Sequence, residues 1–373
     1  MESSKKKVML YGGSYNPIHQ GHINAALTSS MQINADEVWL MPRKYNYDGS
    51  LLLDGKYRIQ MMEMAIENLS HFKICKMELQ DKKKELIYTY NTAVRLTKKY
   101  KDIDFYFLIG ADQLNNLRHW YNAKELTKLF HFVCYQRPGY KIDKSIAEEY
   151  QIQIIDGPLV DISSTTIRSG IFQKIDEDIQ NYIMEKQLYL KERVMPRLSE
   201  ELFIHVLSTA RLAKKIALAN NVNSNRAYVA GILHDIAKGL TFVEIETIVK
   251  KHYPDKLSYP KYFYHAYASA YIAIHDFGIR DEKILKAIRN HSRATKNMSK
   301  LDKIIYCADI LEENRPFANT LNEVRKEAFE NIDSCFVQVM KEQLQFLKKS
   351  NASIDPSLEN NITYYERKLN NGR

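Results

Sequence analysis

The sequence predicts an α/β domain followed by an all-α domain, and two observations lead to this fold class. Up to about residue 190, short apolar runs alternate with amphipathic helical patterns, which is typical of a parallel sheet with helices on both faces. From about residue 195, strand-like runs disappear and long helical patterns follow one another. We therefore expect an α/β domain over residues 1–192 and a helical domain over residues 193–373.

Six short apolar runs in the first half are predicted to be buried strands. Amphipathic segments such as KYRIQMMEMAIENL and YTYNTAVRLTKKY lie between them and are predicted to be helices. In chain order the strand runs are KVMLYGG, ADEVWLMP, HFKICKMEL, DFYFLIGAD, FHFVCYQRP and YQIQIID. In such a sheet, ligands are expected at the carboxyl ends of the strands.

The second half contains helical patterns separated by short connections. They include SEELFIHVLSTARLAKKIALAN, NRAYVAGILHDIAK, FVEIETIVKKH, HAYASAYIAIHDFG, EKILKAIRNH and SKLDKIIYCADILEEN. Pro196 and a cluster of charges precede the first of them and mark the predicted boundary.

Composition excludes several classes of protein. Hydrophobic residues are 45% of the chain and charged residues 27%, as in folded globular proteins. No stretch approaches 18 consecutive apolar residues, so we expect no membrane partner and a cytoplasmic location. The net charge of +9 suits polyanionic ligands, but the lysines are scattered, so nucleic acid is not expected as a main partner. A homo-oligomer is compatible with the sequence.

A glycine-rich turn, GGSYNPIHQGH at residues 12–22, follows the first predicted strand and opens a helix. Gly12, Gly13 and Ser14 let the backbone approach phosphates closely, and the amides of a helix N-terminus favour anions. His19 and His22 are three residues apart, so they lie on one helical face as a pair of donors. The pattern predicts a triphosphate-binding site.

This run resembles the signature of nicotinate mononucleotide adenylyltransferases, and other stretches of residues 7–190 follow that family's order. They are GADQ at 110–113, LRHW at 117–120, RPG at 137–139 and ISSTTIR at 162–168. The resemblance implies a Rossmann-like nucleotidylyltransferase that joins ATP to nicotinate mononucleotide with Mg²⁺. It also implies that Gly12, Gly13, Ser14, Gly110, Asp112, Ser163, Ser164, Thr165 and Arg168 bind ATP, that His19, His22 and Arg168 are catalytic, and that Thr89, Trp120 and Arg137 bind the second substrate.

Several positions depart from that family's pattern or admit a plainer interpretation. Asn16 and Asn91 stand where the family has Asp, and PRKYNYDGS replaces its usual PPHK loop. Lys44 either takes over the phosphate-binding role of the loop lysine or is a solvated loop residue. Plainer roles are a core aromatic for Trp120, a helix cap for Asp112 and a surface ion pair for Arg168. Pantetheine phosphate adenylyltransferase is the nearest rival, although Trp120 and ISSTTIR favour the nicotinate enzyme.

Adenylyl transfer requires no general base, because the substrate phosphomonoester is already ionised and nucleophilic at neutral pH. The protein has only to align that phosphate with the α-phosphate of ATP and to neutralise charge on the departing pyrophosphate. His19, His22, Arg168 and Mg²⁺ can do both.

The second half carries a set of imidazoles and carboxylates with no thiolate among them. The adjacent pair His234-Asp235 would splay by roughly 100° on a helix, so that the carboxylate can bridge two ions. Such donors suit Fe, Mn, Zn or Mg, and a bound water at an open position ionises near neutral pH. The six candidate ligands are His205, His234, Asp235, His265, His291 and Asp309.

These residues lie in phrases that resemble the HD superfamily, and in particular the bacterial family that hydrolyses diadenosine tetraphosphate symmetrically to two ADP. The phrases are FIHVLSTARLA, AGILHDIAKGL, HAYASAY, AIRNHS and LDKIIYCADILEENRPF, within residues 196–330. The resemblance implies two iron ions, although Mn or another divalent metal suits the ligands, and a catalytic Asp235. Lys238 and Arg315 are candidate contacts for substrate phosphates; an exposed salt bridge is the alternative for Arg315.

Two questions about the second half stay open in the sequence. Where the family often has His-Thr-Thr-Gly, this chain has His291-Ser292-Arg293-Ala294, which leaves the pocket shape there undetermined. The helical half could also hydrolyse another nucleotide, or act as a nucleotide-sensing or RNA-binding regulatory module. The leading interpretation is a bifunctional enzyme acting on ATP, nicotinate mononucleotide and diadenosine tetraphosphate.

Overall fold

The computed structural model describes residues 5–46, 52–81, 87–136, 139, 141–158, 160–315 and 321–371. They form two compact units, Met1–Tyr182 and Ile183–Arg373. Leu190 and Val194 pack into the core of the second unit, so this unit begins before the predicted boundary at residues 192–193. No helix among the described residues is both long and apolar enough to span a membrane.

The first unit is built on a six-stranded parallel sheet, which confirms the predicted α/β class. Each predicted strand run contributes one strand: β1 (Lys6–Gly13), β2 (Glu37–Pro42), β3 (Phe72–Ile74), β4 (Ile103–Gly110), β5 (His131–Tyr135) and β6 (Gln153–Ile155). The strand order is β3-β2-β1-β4-β5-β6. The order therefore reverses between β1 and β4, and this reversal leaves a crevice at the carboxyl ends of the two central strands.

Helices cover the sheet. They are α1 (Gln20–Gln32), α2 (Gly55–Ala65), α3 (Thr89–Lys99), α4 (Ala111–Asn115), α5 (Ala123–Leu129), α6 (Lys144–Glu149), α7 (Ser164–Arg168) and α8 (Glu177–Glu185). The sheet core contains Val8, Leu10, Phe105 and Phe107, each at most 4% exposed. This burial explains why the central strands are continuous apolar runs.

The second unit is helical, as predicted, and its described residues contain no strand. Its helices are α9 (Leu190–Val194), α10 (Glu200–Ala219), α11 (Ser224–Leu233), α12 (Phe242–His252), α13 (Tyr264–His275), α14 (Glu282–Asn290), α15 (Lys300–Leu311), α16 (Asn322–Glu330), α17 (Ile332–Lys349) and α18 (Ser357–Asn371). Short 3-10 helices at Ile236–Gly239 and Lys261–Phe263 flank the functional residues.

The expected single helix over NRAYVAGILHDIAK is interrupted at the His-Asp pair. Helix α11 ends at Leu233, His234 is its C-cap, and Asp235 leaves the helical region with φ −110° and ψ 14°. The next turn is redirected because the amide of Ala237 donates to the Ser269 hydroxyl at 3.1 Å. The divergence of the two side chains is therefore set by a turn, and not by the step of a continuous helix.

Candidate functional sites

A cavity of about 590 Å³ lies at the carboxyl ends of β1 and β4. Its volume is within the range of small-molecule sites, roughly 300–1,000 Å³. The predicted residues that line it are Gly12, Gly13, Ser14, His19, His22, Lys44, Thr89, Gly110, Asp112, Trp120, Ser163, Ser164, Thr165 and Arg168. Arg137, the remaining predicted residue of this unit, lies outside the described residues.

His19 and His22 face each other across the first turn of α1. His19 is the N-cap in an extended conformation, and the centroids of the two rings are 3.8 Å apart. A Cβ atom at Gly21 would lie 3.0 Å from the His19 ring, so a larger residue there would displace the imidazole. The glycine between the two histidines therefore preserves the pairing of the rings.

The short helix α7 is fastened to the loop that follows β1. The Ser163 hydroxyl caps α7 by accepting from the Thr166 amide at 3.1 Å. The Ser164 hydroxyl donates to the Pro17 carbonyl at 2.9 Å, and Arg168 donates to the Asn16 carbonyl at 2.8 Å. A second helix N-terminus and a guanidinium thus lie beside the glycine-rich turn, where both can attract phosphate.

The remaining predicted residues line other parts of the same cavity. Trp120 is partly buried, with T-shaped contacts to Phe107 and Phe132 at centroid distances of 6.4 and 6.2 Å. It therefore packs on the core and lines the cavity at once. Lys44 also lines the cavity, and its ammonium donates to the Asp81 carbonyl at 2.7 Å.

Sequence analysis did not identify two buried charged residues of this unit, Arg58 and Glu78. Arg58 is 1% exposed and donates to the carbonyls of Leu53 and Ser14 at 2.7 and 2.8 Å. It therefore holds Ser14 of the glycine-rich turn in place. Glu78 lines the cavity and accepts from the Thr92 hydroxyl at 2.9 Å; burial raises the pKa of its carboxyl. The available signal for Arg58 was its helical spacing from Met61 and Met62, which places it on the buried face of α2.

In the second unit, all six predicted metal ligands come together. They form two groups, and within each group all donor atoms lie within 4.8 Å of one another. One group is His205, His234, Asp235 and Asp309, and the other is Asp235, His265 and His291. The side chain of Asp235 belongs to both groups and is fully buried. One carboxylate shared between two donor groups fits a pair of divalent metal ions.

The four imidazoles are oriented by contacts on their Nδ1 atoms. Nδ1 faces the carbonyl of Gly231 for His234, of Tyr262 for His265 and of Ile288 for His291, each at 2.7 Å. For His205, Nδ1 lies 3.1 Å from Oε1 of Glu312. These acceptors place the hydrogen on Nδ1 and leave the Nε2 lone pair for a metal ion.

The Nε2 atoms converge in pairs. They lie 3.3 Å apart between His205 and His234, and 3.1 Å apart between His265 and His291. Two neutral rings with hydrogen on Nδ1 would present lone pairs to each other at that distance, which is unfavourable unless a proton or a metal ion lies between them. The donor set therefore fits divalent metal ions.

The charge balance of the centre agrees with this fit. Burial opposes charge on His205, but hydrogen bonds with Asp235, Asp309 and Glu312 outweigh it and raise the pKa of His205 to about 10. Burial likewise disfavours ionised Asp235 and Asp309, but the neighbouring histidines hold the pKa of both carboxyls well below the usual value. The carboxylates thus favour positive charge at the centre, which divalent cations can supply in place of ring protons.

Both predicted phosphate-binding cations lie at this centre. The Lys238 ammonium is 2.6 Å from Oδ2 of Asp235, and the Arg315 guanidinium pairs with Asp309. A second cavity, of about 250 Å³, opens beside the centre and is lined by Lys238, His265, His291 and Asp309 among others. Substrate phosphates placed there would lie close to these cations.

Two family models match the chain: one described as cytidylyltransferase-like over residues 10–170, and the HD domain over residues 202–314. A Mycoplasma pneumoniae protein named probable nicotinate-nucleotide adenylyltransferase/Ap4A hydrolase is 30% identical over 95% of this chain and all of its own length. The chain belongs to the family of probable nicotinate-nucleotide adenylyltransferase/Ap4A hydrolases.

Further relatives agree with that membership. The Mycoplasma genitalium protein of the same name is 33% identical, over 83% of this chain and 89% of its own length. A Streptococcus pyogenes serotype M1 protein, named probable nicotinate-nucleotide adenylyltransferase, is 37% identical over half of this chain and 90% of its own length. The resemblance read from the sequence motifs is thereby confirmed.

Proposed function

We propose that the chain is a bifunctional enzyme with one active site in each unit. The first unit transfers the adenylyl group of ATP to nicotinate mononucleotide, and the second hydrolyses diadenosine tetraphosphate to two ADP. The observation that carries the proposal is the gathering of the predicted residues into two separate sites, one a helix-terminus phosphate site and the other a two-group metal site. The names of the full-length relatives support the same pair of activities.

In the first unit, the residues act by position and charge. The helix α1 N-terminus, His19 and His22 hold the phosphates of ATP, and Arg168 neutralises the charge that develops on pyrophosphate. A phosphate oxygen of the mononucleotide forms a bond to the α-phosphorus of ATP, and the bond from that phosphorus to the bridging oxygen of pyrophosphate breaks. Mg²⁺ would shield the phosphate charges.

In the second unit, the six ligands would hold two divalent ions, which we propose to be iron, with Asp235 shared between them. Bound metal of this kind supplies a water that ionises near neutral pH. Lys238 and Arg315 bind the phosphates of the substrate and lower the repulsion between it and the carboxylates. Water adds to one of the two central phosphorus atoms of diadenosine tetraphosphate, and the bond from that phosphorus to the oxygen bridging the two central phosphorus atoms breaks. One ADP gains the water oxygen, and the other leaves with the bridging oxygen.

Substrate pairing tests the first activity. The purified chain with Mg²⁺ should release pyrophosphate from ATP and nicotinate mononucleotide, but not from ATP and phosphopantetheine. The opposite preference would replace the proposal with a pantetheine phosphate adenylyltransferase.

Metal analysis of an Asp235→Asn variant tests the second activity. The variant should lose most of its bound metal and its cleavage of diadenosine tetraphosphate, because the shared ligand weakens both donor groups. An Asp255→Asn control changes a carboxylate that is 68% exposed and should retain both. Wild-type metal content and cleavage in Asp235→Asn would overturn the metal assignment.

We also propose a cytoplasmic location. All four cysteines are free thiols, as is usual in a reducing compartment. A homo-oligomer stays a prediction that sedimentation of the purified chain would test.

A further inference from the structure

The second cavity extends beyond the metal ligands to a wall that the HD family match does not include. That match ends at residue 314, whereas Ser353, Asp355 and Ser357 also line the cavity. Ser353 and Asp355 lie in the connection between α17 and α18, and Ser357 is the first residue of α18. The C-terminal helices therefore complete the pocket.

Arg293 anchors this wall to the metal centre. It lies two residues after the candidate ligand His291. Its Nε donates to Oδ2 of Asp355 at 2.7 Å, and Nη2 donates to the Ser357 hydroxyl at 3.0 Å. Its guanidinium also lies 4.3 Å from the centroid of the Tyr259 ring. The charge of Arg293 is thus balanced by Asp355, a carboxylate outside both donor groups, whereas Lys238 and Arg315 pair with carboxylates that metal ions would engage.

An aromatic side chain lines another part of the cavity. Tyr262 is 48% exposed, although its neighbour Phe263, whose ring centroid is 4.3 Å away, is buried. The backbone carbonyl of Tyr262 accepts from Nδ1 of the ligand His265. The backbone of Tyr262 is thereby held next to the metal centre, and its half-exposed ring lines the cavity. A half-exposed aromatic ring can stack on a nucleobase.

We infer that the space between the Tyr262 ring and the Arg293–Asp355 pair is a nucleoside subsite, in which Tyr262 stacks on the base of one nucleoside half of the substrate. The inference rests on the proposed hydrolase function of this unit. The lining of the cavity falls into two chemical groups: Lys238 with the metal ligands, and Tyr262 with the Arg293–Asp355 ion pair and two serine hydroxyls. The phosphates therefore belong with the first group and the nucleoside with the second.

The size of the cavity limits what enters. At about 250 Å³ it is below the range of roughly 300–1,000 Å³ that encloses drug-sized ligands. We place one nucleoside half of a dinucleoside polyphosphate in this cavity, with its phosphates towards Lys238 and the metal ligands, and the second half outside it. The bound half corresponds to one product, ADP, which is the natural probe of the subsite.

The test is titration of the full-length, metal-containing protein with ADP and, separately, with inorganic diphosphate. Tyr262→Ala should weaken the binding of ADP in the hydrolase cavity by about 10-fold to 100-fold, the usual loss for one stacked base. Tyr262→Phe keeps the ring and should bind ADP within about twofold of wild type. Diphosphate binding and metal content should be unchanged in both, because the Tyr262 carbonyl that orients His265 is retained. ADP binding in the N-terminal cavity is common to all variants, so differences between them belong to the hydrolase cavity.

Two controls complete the experiment. Phe242→Ala removes an aromatic ring that is also 48% exposed but does not line the cavity, and it should bind ADP like wild type. Asp355→Asn releases Arg293 and should weaken the binding of ADP more than the binding of diphosphate. Its control, Glu366→Gln, breaks the Lys341–Glu366 ion pair and should leave the binding of both ligands unchanged. The inference is overturned if Tyr262→Ala binds ADP like wild type, or loses ADP and diphosphate equally. A chain that binds ADP through Tyr262 but does not cleave diadenosine tetraphosphate would keep the subsite and refute the proposed reaction.

Discussion

At the scale of single residues, the metal centre depends on the groups that orient its imidazoles. Three of the four rings are oriented by backbone carbonyls, which no substitution of their side chains removes. His205 is the exception, because its Nδ1 atom faces the carboxylate of Glu312. Glu312 is 1% exposed and also accepts from the amide of Asn314 at 2.8 Å, so its position is fixed.

We predict that Glu312→Ala lowers metal affinity about 10-fold to 100-fold, because His205 loses the partner that fixes its ring. Glu312→Gln keeps an acceptor without the charge and should lie between Glu312→Ala and wild type. Competition with a metal chelator measures the affinity. Glu313→Ala removes the exposed neighbouring carboxylate and should retain wild-type affinity; equal affinities in Glu312→Ala and Glu313→Ala would contradict this role.

Glu37 is a comparable single residue in the sheet of the first unit. Burial disfavours its charge, but hydrogen bonds from Lys6, Lys73 and Trp39 outweigh burial and lower the pKa of Glu37 to about 2. A lowered carboxyl pKa stabilises the folded state above the unfolded pKa of about 4.5, and the stabilisation is lost as pH falls towards 2. Glu37 therefore contributes fully at neutral pH.

We predict that Glu37→Gln lowers the free energy of unfolding by about 1–2 kcal/mol at pH 7 and by clearly less at pH 3. Both tryptophans, Trp39 and Trp120, lie in the first unit, so urea unfolding followed by tryptophan fluorescence reports on it. Glu63→Gln alters an exposed ion pair at 3.5 Å and should cost less than about 0.5 kcal/mol. A difference between wild type and Glu37→Gln that does not change with pH would contradict the pKa argument.

At the scale of elements, helices α10 and α11 approach each other closely enough to bring His205 and His234 together. A Cβ atom at Gly231 would lie 2.7 Å from Cα and 3.1 Å from N of Ala210. The contact is between backbones, so no side-chain rotation relieves it. Gly231 also supplies the carbonyl that orients His234.

We therefore predict that Gly231→Ala lowers the free energy of unfolding of the second unit by about 1–3 kcal/mol and reduces its metal content. Ala210→Gly should not rescue the variant, because it removes a Cβ atom and leaves the crowded backbone in place. Thermal unfolding by circular dichroism, with metal analysis, measures both effects. Recovery of stability in the double variant would show that the helices meet through side chains instead.

Local sequence patterns predicted the secondary-structure elements better than the contacts between distant residues. The six strands were predictable because each is a short apolar run between helical patterns. The strand predicted over HFKICKMEL is too long, because the backbone pairs with β2 only over Phe72–Ile74. The clustering of the six candidate metal ligands could be predicted because the His-Asp pair is rare in an apolar context. The roles of Glu312, Arg58 and Tyr262 could not, since their partners depend on packing: Glu312 is 107 residues from His205 in the chain.

At the scale of the whole molecule, each unit contains its own cavity and its own set of reactive residues. The first cavity combines helix termini with histidines, and the second lies beside the metal-ligand groups. Among the predicted site residues that the structure describes, none of one unit lines the cavity of the other. The two activities should therefore be separable by single substitutions within the intact chain.

The most direct test measures both activities in His22→Ala and in His234→Ala. We predict that His22→Ala loses at least about 100-fold in pyrophosphate release and keeps wild-type cleavage of diadenosine tetraphosphate. His234→Ala should show the reverse pattern, with loss of bound metal. If either substitution abolished both activities in a folded chain, or if neither affected its own reaction, the account of two independent sites would be contradicted.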